Sequence, residues 1–109
     1  MQKFLNHHGY SDITPYEVVR VVSEKCVEIR RMTATLDPSW KPEIVPGGFA
    51  GHCTNQHKQK WNFESDLEAP VIKCRKVKPS RANRGQEWKS VMGYHTPADA
   101  PRSFYDYNF

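Results

Sequence analysis

The sequence predicts a small, mainly β single domain, and three observations carry that expectation. Its 109 residues match the size of one domain and leave no room for a second independent core. Runs of β-branched and alternating apolar residues recur from Tyr16 onward, each bounded by turn residues. No window of ten or more residues repeats its apolar positions at helical spacing. About five or six short strands with long irregular connections point to an SH3-like barrel or a strongly bent antiparallel sheet, with an OB-type barrel as second choice.

Residues 1–12 read as an irregular N-terminal arm, so the first regular element is expected from Tyr16 to Thr35. There Val18, Val22, Val27, Ile29 and Met32 lie in two β-branched runs broken by Ser23-Glu24-Lys25, the pattern of a hairpin. Val19 and Val21 fall on one face of the first strand, with Val18, Arg20 and Val22 on the other; Val27 and Ile29 oppose Glu28 and Arg30 in the second.

Asp37-Pro38 ends that hairpin, and Pro42, Pro46, Gly47, Gly48 and Gly51 exclude a helix or central strand in the stretch that follows. A connection this long inside a compact domain is more often functional than merely linking. Alternation returns around Gln59, Trp61 and Phe63, and a turn at Asp66 to Pro70 leads to a strand from Val71 to Val77, read as a second hairpin. A basic, turn-rich segment, a short strand near Trp88 to Met92, two prolines (Pro97 and Pro101) and the aromatic end Phe104-Tyr105-Asp106-Tyr107-Asn108-Phe109 complete the chain. Two Phe and two Tyr in that end are expected to pack onto the body.

Composition narrows the class. Hydrophobic residues make up 38% of the chain and include three Trp, five Phe and five Tyr, enough for a core without disulfides or a structural metal. Cys26, Cys53 and Cys74 are odd in number and widely spaced, which suits reduced thiols. No stretch approaches the roughly 20 apolar residues of a membrane span, and Met1 to Asn6 lack the apolar core of a secretory signal, so no membrane association is expected. The formal charge of +4 favours polyanionic partners: a nucleotide-type ligand, nucleic acid or an acidic protein surface. A contact through the aromatic C-terminus that makes a homo-oligomer is the alternative to its packing onto the body.

Two segments are candidate binding residues. Gly47, Gly48 and Gly51 let main-chain N–H groups approach a phosphate, while His52, Asn55 and Gln56 offer side-chain hydrogen bonds. The spacing is neither a Walker loop nor a dinucleotide fingerprint, and a glycine-rich bend plugged by Phe49 explains it equally well. The second segment is basic: Lys73, Arg75, Lys76, Lys78, Arg81, Arg84 and Lys89 crowd seventeen residues against one acid, Glu87. With Trp88 or Trp61 exposed beside these cations, bases would stack while Lys and Arg hold phosphates; a solvated edge strand is the plainer account.

His52-Cys53 and His57 lack the paired spacing of a zinc site, and nothing in the pattern sets a thiol beside an oriented base. Asp12 and Asp37 read as turn residues. The chain is therefore expected to bind without catalysis, with no cofactor, no metal and no catalytic residue; a small hydrolase or nuclease using His52, Cys53 or His57 is the further alternative.

The segments Leu36-Asp37-Pro38-Ser39-Trp40-Lys41-Pro42-Glu43 and Gly47-Gly48-Phe49-Ala50-Gly51-His52-Cys53-Thr54-Asn55-Gln56, with the end Phe104-Tyr105-Asp106-Tyr107-Asn108-Phe109, resemble short phage and prophage proteins. The resemblance covers most of the chain but not Met1 to Asn6. It implies an accessory protein in the host-cell cytoplasm, by analogy one that inhibits a host defence or sequesters a nucleotide signal, and it implies no particular biochemical activity.

Overall fold

The computed structural model describes residues 3–9, 12–45, 52–53 and 55–105. They form a closed antiparallel barrel of six strands, in the order β1 (Phe4–His8), β3 (Tyr16–Ser23), β4 (Cys26–Leu36), β8 (Val71–Lys76), β9 (Trp88–Ser90) and β10 (Gly93–Ala98), with β10 pairing back onto β1. Two short strands extend this sheet. β2 (Ile13–Thr14) lies on β1 and β7 (Trp61–Ser65) on β4, while β5 (Ile44–Val45) pairs with β6 (His52–Cys53) separately. A small β-barrel is the expected class, and closure leaves few sheet edges to protect.

Interior positions follow from alternation. Val27 and Ile29 on β4, Cys74 on β8, Trp88 on β9, Leu5 on β1 and Tyr16 on β3 form one buried cluster, with Val18 and Ile72 packed against it. Leu5, Ile29 and Cys74 have no solvent exposure at all. The barrel is thus filled rather than hollow, as its small strand number requires.

The expected irregular arm is instead a barrel strand. β1 pairs with β10 from Phe4↔Ala98 to His7↔His95 and with β3 and β2 on its other side, so it is the stave that closes the barrel. Five residues between charged and polar neighbours carry too little periodicity to be seen alone; long-range pairing makes the strand.

The hairpin β3–β4 turns at Glu24-Lys25 as expected, but its faces differ from strict alternation. Register shifts at Val19 and again near Val22 place Val18 opposite Ile29 and Val21 opposite Val27. Each bulge adds one residue to β3 and reverses the side on which later residues fall.

The second hairpin does not form. β7 pairs with Met32 to Leu36 of β4, and β8 pairs with Cys26 to Arg30 of the same strand, so both run antiparallel to β4 and end to end. Asp66 to Pro70 loop out between them, closed by Ala69 N–H to Asp66 O at 3.2 Å and Glu68 N–H to Asp66 Oδ1 at 3.1 Å. The turn residues mark an excursion from one long strand rather than a reversal.

Beyond Trp88 the prolines conceal β10. β9 stops opposite His95, so from Thr96 onward β10 has no β9 neighbour and Pro97 sits where a missing N–H is tolerated. Gly93, at φ 122°, makes the tight β9–β10 turn that a side chain would strain.

Of the aromatic end, residues 106–109 lie outside the described residues. Phe104 bridges Ile13 through two backbone hydrogen bonds of 3.1 Å, and Tyr105 is half exposed, so this segment lies against the outside of the barrel and not in its core. Two amides fasten it: Asn6, buried, donates to Ala100 O and accepts from Arg102 N–H, while Gln59 donates to Tyr105 O and accepts its N–H.

Candidate functional site

The basic segment is sorted by strand alternation. On β8, Ile72 and Cys74 turn inward, leaving Lys73 and Arg75 exposed; on β9, Lys89 is exposed between buried Trp88 and Ser90. Register sets Arg75 directly opposite Lys89, and Lys89 directly opposite Tyr94 on β10. The Lys89 ammonium lies 5.3 Å from the Tyr94 ring centroid, a cation–π distance. Beside this row Lys73, Arg75, Val77, Lys89 and Val91 border an open hollow of about 390 Å³.

These cations are not balanced by acids. The ion pairs among the described residues are Arg20–Glu28 (3.4 Å), Arg30–Glu17 (2.8 Å) and Lys76–Glu87 (3.7 Å). None involves Lys73, Arg75 or Lys89. Glu28 faces Lys73 across the β4–β8 ladder, but its carboxylate is engaged by Arg20. Like charges directly opposite in a sheet cost a few tenths of a kcal/mol up to about 1 kcal/mol, so the Arg75–Lys89 pair works against the fold.

Past Lys76 the chain enters a loop organised by Asn83. Its buried side chain accepts the N–H groups of Ser80 (2.8 Å) and Gly85 (3.1 Å) and donates to Lys78 O (3.2 Å). The loop holds Arg81 and Arg84 exposed, and Arg84 adopts φ 55°, a left-handed conformation that costs a non-glycine residue about 1 kcal/mol.

The structure sets the points where the loop after Asp37 is anchored apart from the basic segment. The loop after Asp37 leaves β4 at Leu36 and rejoins at Trp61, opposite Leu36, whereas Arg75 faces Cys26 at the other end of β4. Eleven strand residues put those ends roughly 33 Å apart. Gly47, Gly48 and Gly51 lie outside the described residues, and of His52 only its backbone pairing with Val45 is described. Asn55 is a staple: its Oδ1 accepts from Glu43 N–H at 2.8 Å and from Cys53 Sγ at 3.4 Å, and its Nδ2 donates to Lys41 O at 2.8 Å. Gln56 begins a 3₁₀ turn, Gln56–Lys58, beside a groove of about 570 Å³ whose lining includes Lys41, His57, Lys58 and Lys60. Asp37 is a turn residue as expected: its Oδ1 accepts Ser39 N–H at 2.9 Å, and this bond holds its carboxyl below the usual range.

The expected stacking tryptophans are displaced. Trp88 is 6% exposed and belongs to the core, and Trp61 faces Leu36 at the far end of β4. Tyr94 is the aromatic beside the cations. It escapes sequence reading because β10 does; Gly93 after an exposed Val91-Met92 pair is the turn signal that would have shown the strand.

Beneath this face lies a polar chain within the barrel. His95 Nδ1–H donates to Leu5 O at 2.9 Å, which leaves Nε2 to accept from the Ser90 hydroxyl at 2.7 Å; Ser90 Oγ in turn accepts Met92 N–H at 3.1 Å. Burial lowers the His95 pKa to about 4, with the Leu5 carbonyl opposing and His7 and His8 adding to the shift. The imidazole is a neutral cross-strand tie. Among the described residues no group of three His, Cys, Asp or Glu is placed to hold a metal, and no helix is long and apolar enough to cross a membrane.

No family model, no curated protein and no solved structure matches this chain, so the reading of its site rests on the geometry above.

Proposed function

We propose that this protein is a non-enzymatic phage accessory protein that binds single-stranded nucleic acid across the outer face of β8, β9 and β10, and thereby masks a host component from its partners. The observation that carries the reading is the Arg75–Lys89 pair, two cations set opposite one another with no acid between them and Tyr94 alongside. Phosphates relieve the repulsion, and the Tyr94 ring offers a sequence-tolerant stacking surface, the combination single-strand binders use on small barrels. The open shape of the hollow suits a strand passing over it better than a small ligand, which needs enclosure.

The test is fluorescence anisotropy with a labelled oligothymidine at 50 and 200 mM salt. With three phosphates neutralised by Lys73, Arg75 and Lys89, the slope of log affinity against log salt should be about −2. Binding that is undetectable or independent of salt overturns the reading.

A second reading is sequestration of a nucleotide-type ligand in the host cytoplasm, and the groove at Lys41, His57, Lys58 and Lys60 favours it. Ligand linkage would raise the melting temperature in the presence of cyclic or linear dinucleotides. An unchanged melting temperature across such a panel removes it.

A further inference from the structure

The turn between β9 and β10 presents two apolar side chains that neither the chain reversal nor the core uses. Ser90 pairs with Gly93 across it, so Val91 and Met92 are its central residues, and they are 87% and 54% exposed. Turns favour Gly, Asn, Asp or Ser at such positions, residues that suit the backbone and stay wetted. This turn is also held rigidly. Met92 N–H donates to Ser90 Oγ, whose contact with His95 Nε2 continues to Leu5 O on β1, so a buried polar chain fixes an exposed apolar tip. Val91 borders the open hollow together with Lys73, Arg75, Val77, Lys89 and Ser90, and no acid lies on that lining. Val71, on the same face of β8 as Lys73, is a further exposed apolar residue.

Cations beside a protruding apolar tip select the occupant. A phosphate chain held by Lys73, Arg75 and Lys89 brings its bases next to Val91, and an apolar side chain entering a base step replaces base–base contact with contact to the protein. Fixing the tip beforehand lowers the entropy lost on insertion. We infer that Val91 and Met92 form a wedge that parts neighbouring bases of a single strand lying on the outer face, which makes weakly stacked, pyrimidine-rich strands the favoured substrate. Parting a stack costs least where stacking is weakest, and a preference of that origin needs no hydrogen bond to a base edge. The inference deepens the nucleic-acid reading and rests on it for the strand itself. The wedge carries no charge, so its contribution is independent of salt, unlike that of the cations around it.

The experiment compares the full chain with the double variant Val91→Asn, Met92→Ser, an uncharged change at exposed positions. It uses anisotropy with labelled oligothymidine and oligoadenosine, and an oligothymidine carrying one fluorescent aminopurine that brightens when unstacked. The parent should favour oligothymidine over oligoadenosine by about fivefold or more and brighten the probe. The variant should lose about fivefold or more in oligothymidine affinity and leave the probe dark, with its salt slope and melting temperature unchanged. If the variant binds as tightly as the parent, or the parent does not brighten the probe, the wedge is overturned and the outer-face reading stands. If the parent binds neither oligonucleotide, both fall. Sedimentation with phosphatidylglycerol vesicles, or a concentration-dependent dimer, seen in the parent and lost in the variant assigns the tip to a membrane or to a second copy and overturns the inference.

Discussion

Arg75 on β8 stands directly across the ladder from Lys89 on β9, and neither cation has an acidic partner among the described residues. A sheet gains nothing by that juxtaposition, so stability and binding should respond to it in opposite directions. Arg75→Glu converts the repelling pair into an attracting one while leaving the Lys89–Tyr94 contact in place, and should raise stability by a few tenths of a kcal/mol up to about 1 kcal/mol. The same change should weaken oligonucleotide binding and reduce the magnitude of its salt slope by about 0.7 or more. Urea midpoints and anisotropy on one preparation check both signs; a variant that loses stability and keeps its affinity contradicts the assignment.

Leu5 makes the N-terminal strand indispensable. Its side chain is fully buried, and β1 is paired on both sides, so removing residues 1–8 opens the barrel along two seams. Deletion should leave a chain without near-ultraviolet dichroism. The milder Leu5→Ala should cost roughly 2 to 5 kcal/mol in urea unfolding, the range for emptying a core leucine site. An irregular arm would tolerate both changes.

Stability should fall as the solution is acidified from neutrality. The folded chain holds His95 neutral down to about pH 4, whereas the unfolded chain protonates it near the ordinary value of 6.5. Below 6.5 the unfolded state therefore binds more protons, so this contribution is complete above that pH and is lost progressively toward pH 4. The loss amounts to at most about 3 kcal/mol. Denaturation midpoints at pH 7, 5.5 and 4.5 should show the decline. His95→Gln should flatten it, leaving the smaller part due to His8, whose pKa burial also lowers, helped by the charges of Arg102 and His7.

The thiols should differ sharply in reactivity. Burial pushes the Cys74 thiol up to about 12, with Cys26 adding to the shift, so almost no thiolate exists there at neutral pH. Cys26 is partly exposed. Iodoacetamide at pH 8 followed by peptide mass analysis should find Cys26 labelled and Cys74 untouched until denaturant is added.

The local pattern of residues determined a good deal by itself. Val27 and Ile29 alternating with Glu28 and Arg30 announced β4 and its buried face, and Ser23 to Lys25 marked its turn, because period and turn chemistry are written in neighbouring residues. The density of lysine and arginine between Lys73 and Lys89 likewise announced a positive surface whatever the register. Which of those cations meet was decided only by tertiary pairing: a one-residue change of register would have turned Arg75 and Lys89 to other partners and faces. The same holds for β1, for β10 with its Pro97, and for the end-to-end placement of β7 and β8 on β4. In each of these the stabilising contacts lie with strands distant in the chain, and no run of adjacent residues can record them. The separation of Leu36 from Cys26 along β4 is of this kind too. Both segments carry binding chemistry in their composition, but β4 sets Leu36 and Trp61, where the first loop is anchored, at the end opposite Arg75.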